Sequence, residues 1–367
     1  MQTHRLGGTG GRIASLFLAC VASHTALVSP STASRQHHPI RHICKFRLPR
    51  VTSIKHVVSA GALFAAAAQF GFAAKAIFIK LAYAAHPGLD AVTLLALRMI
   101  FSLPFFLLMA WWARRESRGA ASVPLTRSDW GYVLLLGFIG YYLSSFLDFW
   151  GLQYISAGLE RLILFTNPTI VVVISALFMA RPITRRVAIA LLVSYAGLGL
   201  AYWHDLVVTD DTSALIAGTG LVFVSAICYA VYMVLGTGLT RRIGSMRFTA
   251  YMMLVATFFV LAQFFIMRPL SALDLPMKIY AYSVCLAVFS TAVPVWMMAE
   301  ALKRIGASDA SMIGSVGPVL TIFLGAAFLG EQISALQLVG AALVLGGVAM
   351  ISLGRSPVPQ PVTPPTR

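Results

Sequence analysis

Apolar blocks of about 20 residues recur from residue 57 to residue 354, and they constrain the fold more than any other feature. An α-helix needs about 20 apolar residues to cross the hydrocarbon core of a bilayer. Of the 367 residues, 59% are hydrophobic and 11% are charged, which leaves too little polar surface to cover a water-soluble globule. The short alternating segments of a transmembrane β-barrel are not seen. The sequence therefore predicts an all-α membrane protein embedded in a lipid bilayer.

We predict ten membrane-spanning helices joined by short loops. Lys and Arg residues such as Arg114, Arg241 and Arg304 collect in every second loop, whereas the other loops carry acids such as Asp205 and Asp274. Loops rich in Lys and Arg stay in the cytoplasm. We therefore expect both termini in the cytoplasm and the protein in the inner (plasma) membrane of a bacterium. The predicted spans are residues 57–82, 89–112, 130–153, 157–180, 186–204, 213–237, 248–268, 279–301, 307–329 and 334–353.

The net charge of +16 follows this topology and does not indicate a nucleic-acid partner. Residues 1–55 hold eight of the 28 Lys and Arg residues and none of the 12 Asp and Glu residues. We interpret residues 1–56 as a basic, disordered extension, which is either a signal-like segment or the product of a misassigned start. The Pro-rich residues 355–367 are also expected to be disordered.

The chain repeats its own pattern at an offset of 150 residues. Each half holds five helices, and because five is an odd number, consecutive halves must lie in opposite orientations. The sequence thus predicts two inverted five-helix repeats, residues 57–205 and 213–354, with an external linker at 206–212. Inverted repeats place a binding site at their interface near the membrane midplane and support alternating access. The matched positions are Leu152, Ala157, Ile163, Pro168, Ala176, Phe178, Ile183 and Gly197 with Leu302, Ala307, Ile313, Pro318, Ala326, Phe328, Ile333 and Gly347.

Four stretches carry a resemblance to a known family: "FIKLA" in span 1, Arg98 in span 2, "GLQYISAGLERLILFTNPTIVVVISALF" in spans 3 and 4, and "ALKRIGASDASMIGSVGPVLTIFLGAAFLGEQIS" in spans 8 and 9. Across residues 57–354 the chain resembles the EamA-like branch of the drug/metabolite transporter superfamily. One departure is that Ala180-Arg181 stands where the second half has the Gly330-Glu331 pair typical of the family. The resemblance implies a ten-helix secondary transporter, often an exporter of amino acids or other small metabolites.

Charged residues inside the spans mark the candidate site, because a charge at the bilayer centre costs about 2.5–3.5 kcal/mol and usually faces a cavity. At helical spacing, Ser156, Glu160 and Asn167 share one stripe of span 4. We predict a polar cavity between the halves, in which Arg98 or Lys80 meets a substrate carboxylate and Glu160 or Asp148 meets an amine or carries a coupled proton. The predicted substrate-binding residues are Gln69, Phe72, Lys80, Arg98, Tyr141, Ser145, Asp148, Glu160, Asn167, Trp296, Ser311 and Ser315.

Plainer roles compete with these. Glu160 can simply complement a helix dipole, or Asp148 and Glu160 can neutralise Arg98, Arg161 or Lys80 in structural ion pairs. Arg161 points away from the stripe and is expected to snorkel to the outer interface. Lys75 lies off the polar stripe of span 1 and receives no role. Pro168 and Pro318 are interpreted as hinges, with tolerated kinks as the alternative.

The sequence favours a secondary transporter that exports an amino acid or a related compound. Exchange of sugar phosphates or nucleotide sugars and drug efflux are the alternatives on the same fold. An intramembrane enzyme would need a nucleophile with a base, or paired metal ligands, and His86 and His204 are the only histidines beyond residue 56. We therefore predict no catalytic residue, metal or cofactor. The small-residue face at Ala342 and Gly346 suits packing within the chain or against a second copy in a homodimer.

Overall fold

The structure, a computed structural model, describes residues 60–116, 125–178 and 183–352, apart from the side chains of Lys303, Ala307, Ser308 and Ser311. Within these ranges it contains helices and no strand. Ten helices are long and apolar enough to cross a membrane, which confirms the predicted fold class. The predicted extension, the predicted tail and the Ala180-Arg181 pair lie outside the described residues. The helices are α1 Ala60–Ala85, α2 Ala91–Arg115, α3 Arg127–Gly151, α4 Ala157–Phe178, α5 Arg185–Val208, α6 Thr212–Ile243, α7 Ser245–Met267, α8 Met277–Leu302, α9 Met312–Leu329 and α10 Ala335–Ser352.

Local capping residues set where several helices begin. The side chain of Thr126 accepts a hydrogen bond from the Asp129 N–H, and the Asp129 side chain accepts one from the backbone of Thr126, which forms a capping box at α3. The Ser156 side chain caps α4 by accepting a hydrogen bond from the Leu159 N–H. Asp211 accepts from the Ala214 N–H at the start of α6. These caps satisfy backbone donors that the first turn of a helix leaves free.

Four interruptions fall in pairs at the repeat offset. A π-helical segment, Gly137–Leu143, lies inside α3, and a second one, Val288–Ala292, lies inside α8. The helical turns of α4 break at Thr166, just before Pro168, and a break at residues 315–316 comes just before Pro318. A proline removes a backbone donor and is best tolerated in the first turn of a new helical segment. The prolines thus coincide with real breaks, and their role as hinges stays a prediction.

The helices also pack in related pairs. Helix α1 packs against α8 and α9, and α6 packs against α3 and α4. Helix α2 packs against α7, and α5 packs against α10. If α1–α5 are matched with α6–α10 in order, the α1–α8 contact corresponds to α6–α3 and the α1–α9 contact corresponds to α6–α4. The α2–α7 and α5–α10 contacts each correspond to themselves. This pattern is what two related halves would produce, and their inverted orientation stays a prediction.

Glycines allow α5 and α10 to approach each other closely. A Cβ atom added to Gly197 would lie 2.5 Å from the Gly340 carbonyl oxygen, and one added to Gly340 would lie 2.6 Å from the Gly197 carbonyl oxygen. By contrast, a Cβ atom on Gly199, in the same helix, would meet no atom within 4 Å. Close backbone approach at small residues is a main source of helix association in membranes.

We predict that Gly197→Ala destabilises the protein while Gly199→Ala does not. The added methyl group forces α5 and α10 apart, and overpacking of this kind costs roughly 1–3 kcal/mol. Thermal unfolding of the purified protein in detergent should show a lower melting temperature for Gly197→Ala and an unchanged one for Gly199→Ala. Equal melting temperatures for the two variants would show that the α5–α10 contact is looser than described.

Candidate functional site

Two carboxylates and one ammonium group meet inside the helix bundle. The Lys75 Nζ atom lies 2.7 Å from Asp148 Oδ2 and 2.9 Å from Glu160 Oε1. The Glu160 side chain is fully buried, and those of Asp148 and Lys75 are 6% and 16% exposed. We call these three residues the charged triad. When all three groups are ionised, the triad holds two negative charges and one positive charge, so one negative charge remains unbalanced within it.

Three helices bring the triad together. Helix α1 presents Lys75 from its middle, 15 residues after its first residue Ala60. Asp148 lies in the last turn of α3, which ends at Gly151. Glu160 lies in the first turn of α4, whose N-cap is Ser156. Because only a short connection separates α3 from α4, the two carboxylates are carried to the same level of the bundle.

Several acceptor atoms at the triad find no hydrogen-bond donor among the described residues. They are Asp148 Oδ1 and both carboxylate oxygens of Glu160, although Oε1 lies in the ion pair with Lys75, and Asn167 Oδ1 is a further such atom along α4. Buried polar atoms are almost always hydrogen-bonded, because leaving one unpaired costs about 1–3 kcal/mol. Unpaired acceptors beside a triad with excess negative charge are suited to bind a group that brings both donors and positive charge.

Two arginines lie near the triad, and neither has a carboxylate within 4 Å among the described residues. Arg98 of α2 is 8% exposed, and its Nε donates to Thr291 Oγ1 at 3.1 Å. Its guanidinium carbon lies 5.3 Å from the centre of the Phe149 ring. Arg161 Nη2 lies 3.5 Å from Gln69 Oε1, and Arg161 Nε is buried without a hydrogen-bond partner. Guanidinium groups without a carboxylate partner suit recognition of an anionic group.

The structure corrects two sequence interpretations. The prediction that Arg161 snorkels to the outer interface was wrong, because its guanidinium lies inside the protein, against Gln69 and close to Gly317. Asp148 and Glu160 are paired with Lys75, which had no assigned role, and not with Arg98, Arg161 or Lys80. A charged residue in the middle of an apolar span usually pairs with another group. The position of Lys75 in the middle of span 1 was therefore the sequence signal that indicated a buried partner.

The remaining predicted residues are spread over several environments. The Tyr141 ring packs edge to face against Tyr232, with 5.1 Å between centroids, and against Tyr229 at 6.3 Å. Trp296 is 43% exposed, and its ring packs on Phe64 at 5.7 Å. These contacts place the Tyr141 ring among aromatic side chains of α6 and the Trp296 ring against the first half of α1.

Four predicted side chains have limited or no described contacts. Phe72 and Ser145 are partly buried. The Ser315 hydroxyl donates to the Met312 carbonyl at the break in α9, at 2.6 Å. The side chain of Ser311 lies outside the described residues. Their role in substrate binding stays a prediction.

A second set of charged residues lies at the predicted outer end, and we call Lys80, Asp205 and Glu331 the outer cluster. Lys80 Nζ donates to the Ile155 carbonyl at 2.7 Å and lies 3.9 Å from Glu331 Oε1. The Ala157 N–H donates to Glu331 Oε1 at 2.9 Å, and the Ser156 N–H donates to Asp205 Oδ2 at 3.2 Å. Burial raises the pKa of Glu331. The outer cluster thus holds the start of α4, only one turn from Glu160.

Two cavities lie among the described residues, and only one of them borders the outer cluster. One of 330 Å³ is bordered by the outer cluster, with His204 and Gln337 among its lining residues. Another of 290 Å³ lies along α6 and is lined by Tyr229, Tyr232 and Arg241, among others. Among the described residues, no three His, Cys, Asp or Glu side chains come together as a metal site would require. The charged triad and the outer cluster offer charges and hydrogen-bonding groups to a small polar molecule.

Comparison with known proteins gives consistent matches. The model of the EamA-like transporter family matches residues 59–203 and 216–353. The chain is 32% identical over 303 residues to the uncharacterized transporter YcbK of Bacillus subtilis (strain 168), covering 81% of this chain and 92% of YcbK. It is 27% identical over 216 residues to the threonine/homoserine exporter RhtA of Escherichia coli (strain K12), covering 57% of this chain and 66% of RhtA. One solved crystal structure shares the fold, with a TM-score of 0.54 and 17% identity over 80% of this chain and 97% of that chain.

We predict that Glu331→Gln flattens the pH dependence of stability. Because burial raises the pKa of Glu331, this carboxyl stabilises the folded state at low pH, and that contribution is lost as the pH rises through the raised pKa. Glutamine stays neutral and still accepts from the Ala157 N–H. Melting temperatures measured from about pH 4 to pH 8 should fall less for Glu331→Gln than for the wild type.

The control for this prediction is Asp210→Asn, which removes an exposed carboxylate at the same end of the bundle. Its pH profile should follow that of the wild type. A Glu331→Gln profile that also follows the wild type would show that the Glu331 carboxyl titrates alike in the folded and unfolded states.

Proposed function

The chain belongs to the EamA-like transporter family, and on that premise we propose that it exports a zwitterionic amino acid across the inner membrane of a bacterium. It is a multi-pass integral membrane protein with ten candidate membrane spans, and its relatives include proteins named as transporters. The substrate, the direction and the membrane are the parts that we propose.

The observation that carries the proposal concerns the triad carboxylates and Arg98. Carboxylate oxygens of the triad outside its ion pairs have no hydrogen-bond donor, and Arg98 has no carboxylate partner among the described residues. Asp148 Oδ1 and Glu160 Oε2 are free to accept from an α-ammonium group. Arg98 has no carboxylate partner within 4 Å among the described residues, and its guanidinium stacks on Phe149, the residue next to Asp148. A small molecule with an ammonium at one end and a carboxylate at the other matches these two groups in charge.

A relative supports the same substrate class. RhtA is named a threonine/homoserine exporter, and both of these compounds are zwitterions. The direction of export rests on this relative, and the orientation with cytoplasmic termini rests on the distribution of Lys and Arg in the loops. Gln69, Phe72, Tyr141, Ser145, Asn167, Trp296, Ser311 and Ser315 remain further candidates to contact the substrate.

Proton coupling follows from the charge of the triad. Its unbalanced negative charge is neutralised either by a proton on a carboxylate or by the substrate ammonium. Because both compete for the same carboxylates, a proton that enters from outside would displace the substrate there. In this mechanism the breaks before Pro168 and Pro318 act as hinges, and the outer cluster separates from the start of α4 when the cavity opens outward.

Exchange of sugar phosphates or nucleotide sugars has less support. A phosphate group requires several unpaired cations. Lys75 and Lys80 are both engaged with carboxylates of the chain, which leaves Arg98 and Arg161. The charges at the site therefore favour a zwitterion over a polyanion. Drug efflux lacks a specific observation in its favour.

The test is counterflow of radiolabelled amino acids into proteoliposomes that contain the purified full-length protein. We predict saturable uptake of a small neutral amino acid, with threonine and homoserine as the first probes. An imposed pH gradient should drive accumulation. Uptake of sugar phosphates alone, or no uptake of any amino acid from a complete panel, would contradict the proposal.

We further predict that Arg98→Gln and Glu160→Gln reduce transport in different ways. Arg98→Gln removes the partner of the substrate carboxylate and should raise KM by about tenfold or more, which corresponds to loss of a charged hydrogen bond. Glu160→Gln should abolish acceleration by the pH gradient. Arg114→Gln, a cytoplasmic-end arginine that contacts Tyr251, serves as the control and should leave both quantities unchanged. Normal pH-gradient dependence in Glu160→Gln and in Asp148→Asn would contradict the coupling mechanism.

A further inference from the structure

We propose that Lys75 selects the charge of the substrate, so that the site accepts one ammonium group and rejects a second. This inference rests on the proposed function, because it concerns the amine end of the same site. Lys75 neutralises one of the two triad carboxylates and leaves room for a single additional positive charge.

The first support is the position of the Lys75 ammonium. It lies between the two carboxylates, within 3 Å of one oxygen of each, at 2.7 Å and 2.9 Å. The backbone around it is fixed, since Ala73 and Ala76 are buried against neighbouring helices, at 0% and 1% exposure. Lys75 is therefore ion-paired with Asp148 Oδ2 and Glu160 Oε1 as a built-in amine, and the two oxygens outside these ion pairs, Asp148 Oδ1 and Glu160 Oε2, are left for a substrate.

The second support is the placement of the other charges around the triad. Arg98 of α2 donates to Thr291, and Arg161 of α4 lies against Gln69. Tyr141 of α3 packs against tyrosines of α6. Lys80 and Glu331 of the outer cluster form an ion pair with each other. Together with Asp205 they line the cavity of 330 Å³. None of the described cations other than Lys75 lies within 4 Å of the triad carboxylates, so Lys75 alone balances them at contact distance.

The consequence is a rule for substrate charge. A single ammonium brings the triad to neutrality, whereas a second ammonium would add an excess positive charge beside Lys75 in a medium of low dielectric constant. Like charges at such distances repel strongly inside a protein. Removing the Lys75 charge exposes two further carboxylate oxygens, and the site should then prefer a substrate with two ammonium groups.

Homoserine and 2,4-diaminobutyrate provide a matched pair of probes, because they differ chiefly in a hydroxyl against an ammonium at the same carbon. Binding to the purified full-length protein is measured for both, by calorimetry or by competition with a radiolabelled ligand. The wild type should prefer homoserine. Lys75→Gln should reverse the preference, with a change in the affinity ratio of about tenfold or more.

A series of variants separates charge selection from a structural role. With all groups ionised, the triad has a net charge of −1 in the wild type, −2 in Lys75→Gln, 0 in Glu160→Gln, and −1 again in Lys75→Gln/Glu160→Gln. The double variant should regain the preference for homoserine. It contains no uncompensated pair of carboxylates, so it is expected to fold even if Lys75→Gln does not. Lys278→Gln, which removes an exposed lysine in the first turn of α8, is the control and should keep the wild-type preference.

The outcomes separate failure of this inference from failure of the proposed function. A wild type that binds neither probe contradicts the amino-acid substrate. In that case the triad is tested without substrate, through the melting temperature as a function of pH. Lys75→Gln should gain more stability than the wild type as the pH falls, because protons replace the missing ammonium, and the double variant should not. A Lys75→Gln variant that keeps the preference for homoserine, or that shows the wild-type pH profile, overturns the inference.

Discussion

The ion pairs of Lys75 with Asp148 and Glu160 are the interaction on which the arrangement of the first half depends. A carboxylate buried without a counter-ion is strongly unfavourable, and here two of them belong to side chains that are 6% and 0% exposed. The Lys75 ammonium makes their burial possible, and in doing so it fixes α1 against the junction of α3 and α4. The same contact leaves one negative charge in excess, so in the proposed function the triad has a structural role and a binding role at once.

Helix α4 links the triad to the second half of the chain. Its first backbone N–H groups are held by Glu331, from the connection between α9 and α10, and by Asp205, from α5. One turn further on, the same helix carries Glu160. A movement between the halves therefore displaces the start of α4, and with it one of the two triad carboxylates. In the proposed function, this is a direct physical route from opening of the outer end to the affinity for an ammonium group.

The sequence was sufficient to predict the ten helices, because span length and apolar composition are set by the bilayer and not by contacts within the protein. It did not reveal the partner of Lys75 or the inward position of Arg161. Helical periodicity predicts one buried face per helix, but α1 packs against several helices. Lys75, off the polar stripe, meets Asp148 and Glu160, whereas Gln69 and Lys80 on the stripe meet Arg161 and Glu331. Which charges pair depends on how helices dock, and periodicity along one helix carries no information about that.

The two halves share backbone irregularities but not charges. The π-helical segments and the breaks before Pro168 and Pro318 occur at equivalent positions, whereas Glu160 and Arg161 correspond to Ala310 and Ser311. Arg98 nevertheless donates to Thr291, inside the π-helical segment of the second half. In the proposed function, the substrate ammonium is then held by the first half and its carboxylate by an arginine anchored to the second. A zwitterion bound in this way bridges the elements that must move, so its binding energy bears directly on the equilibrium between the conformations.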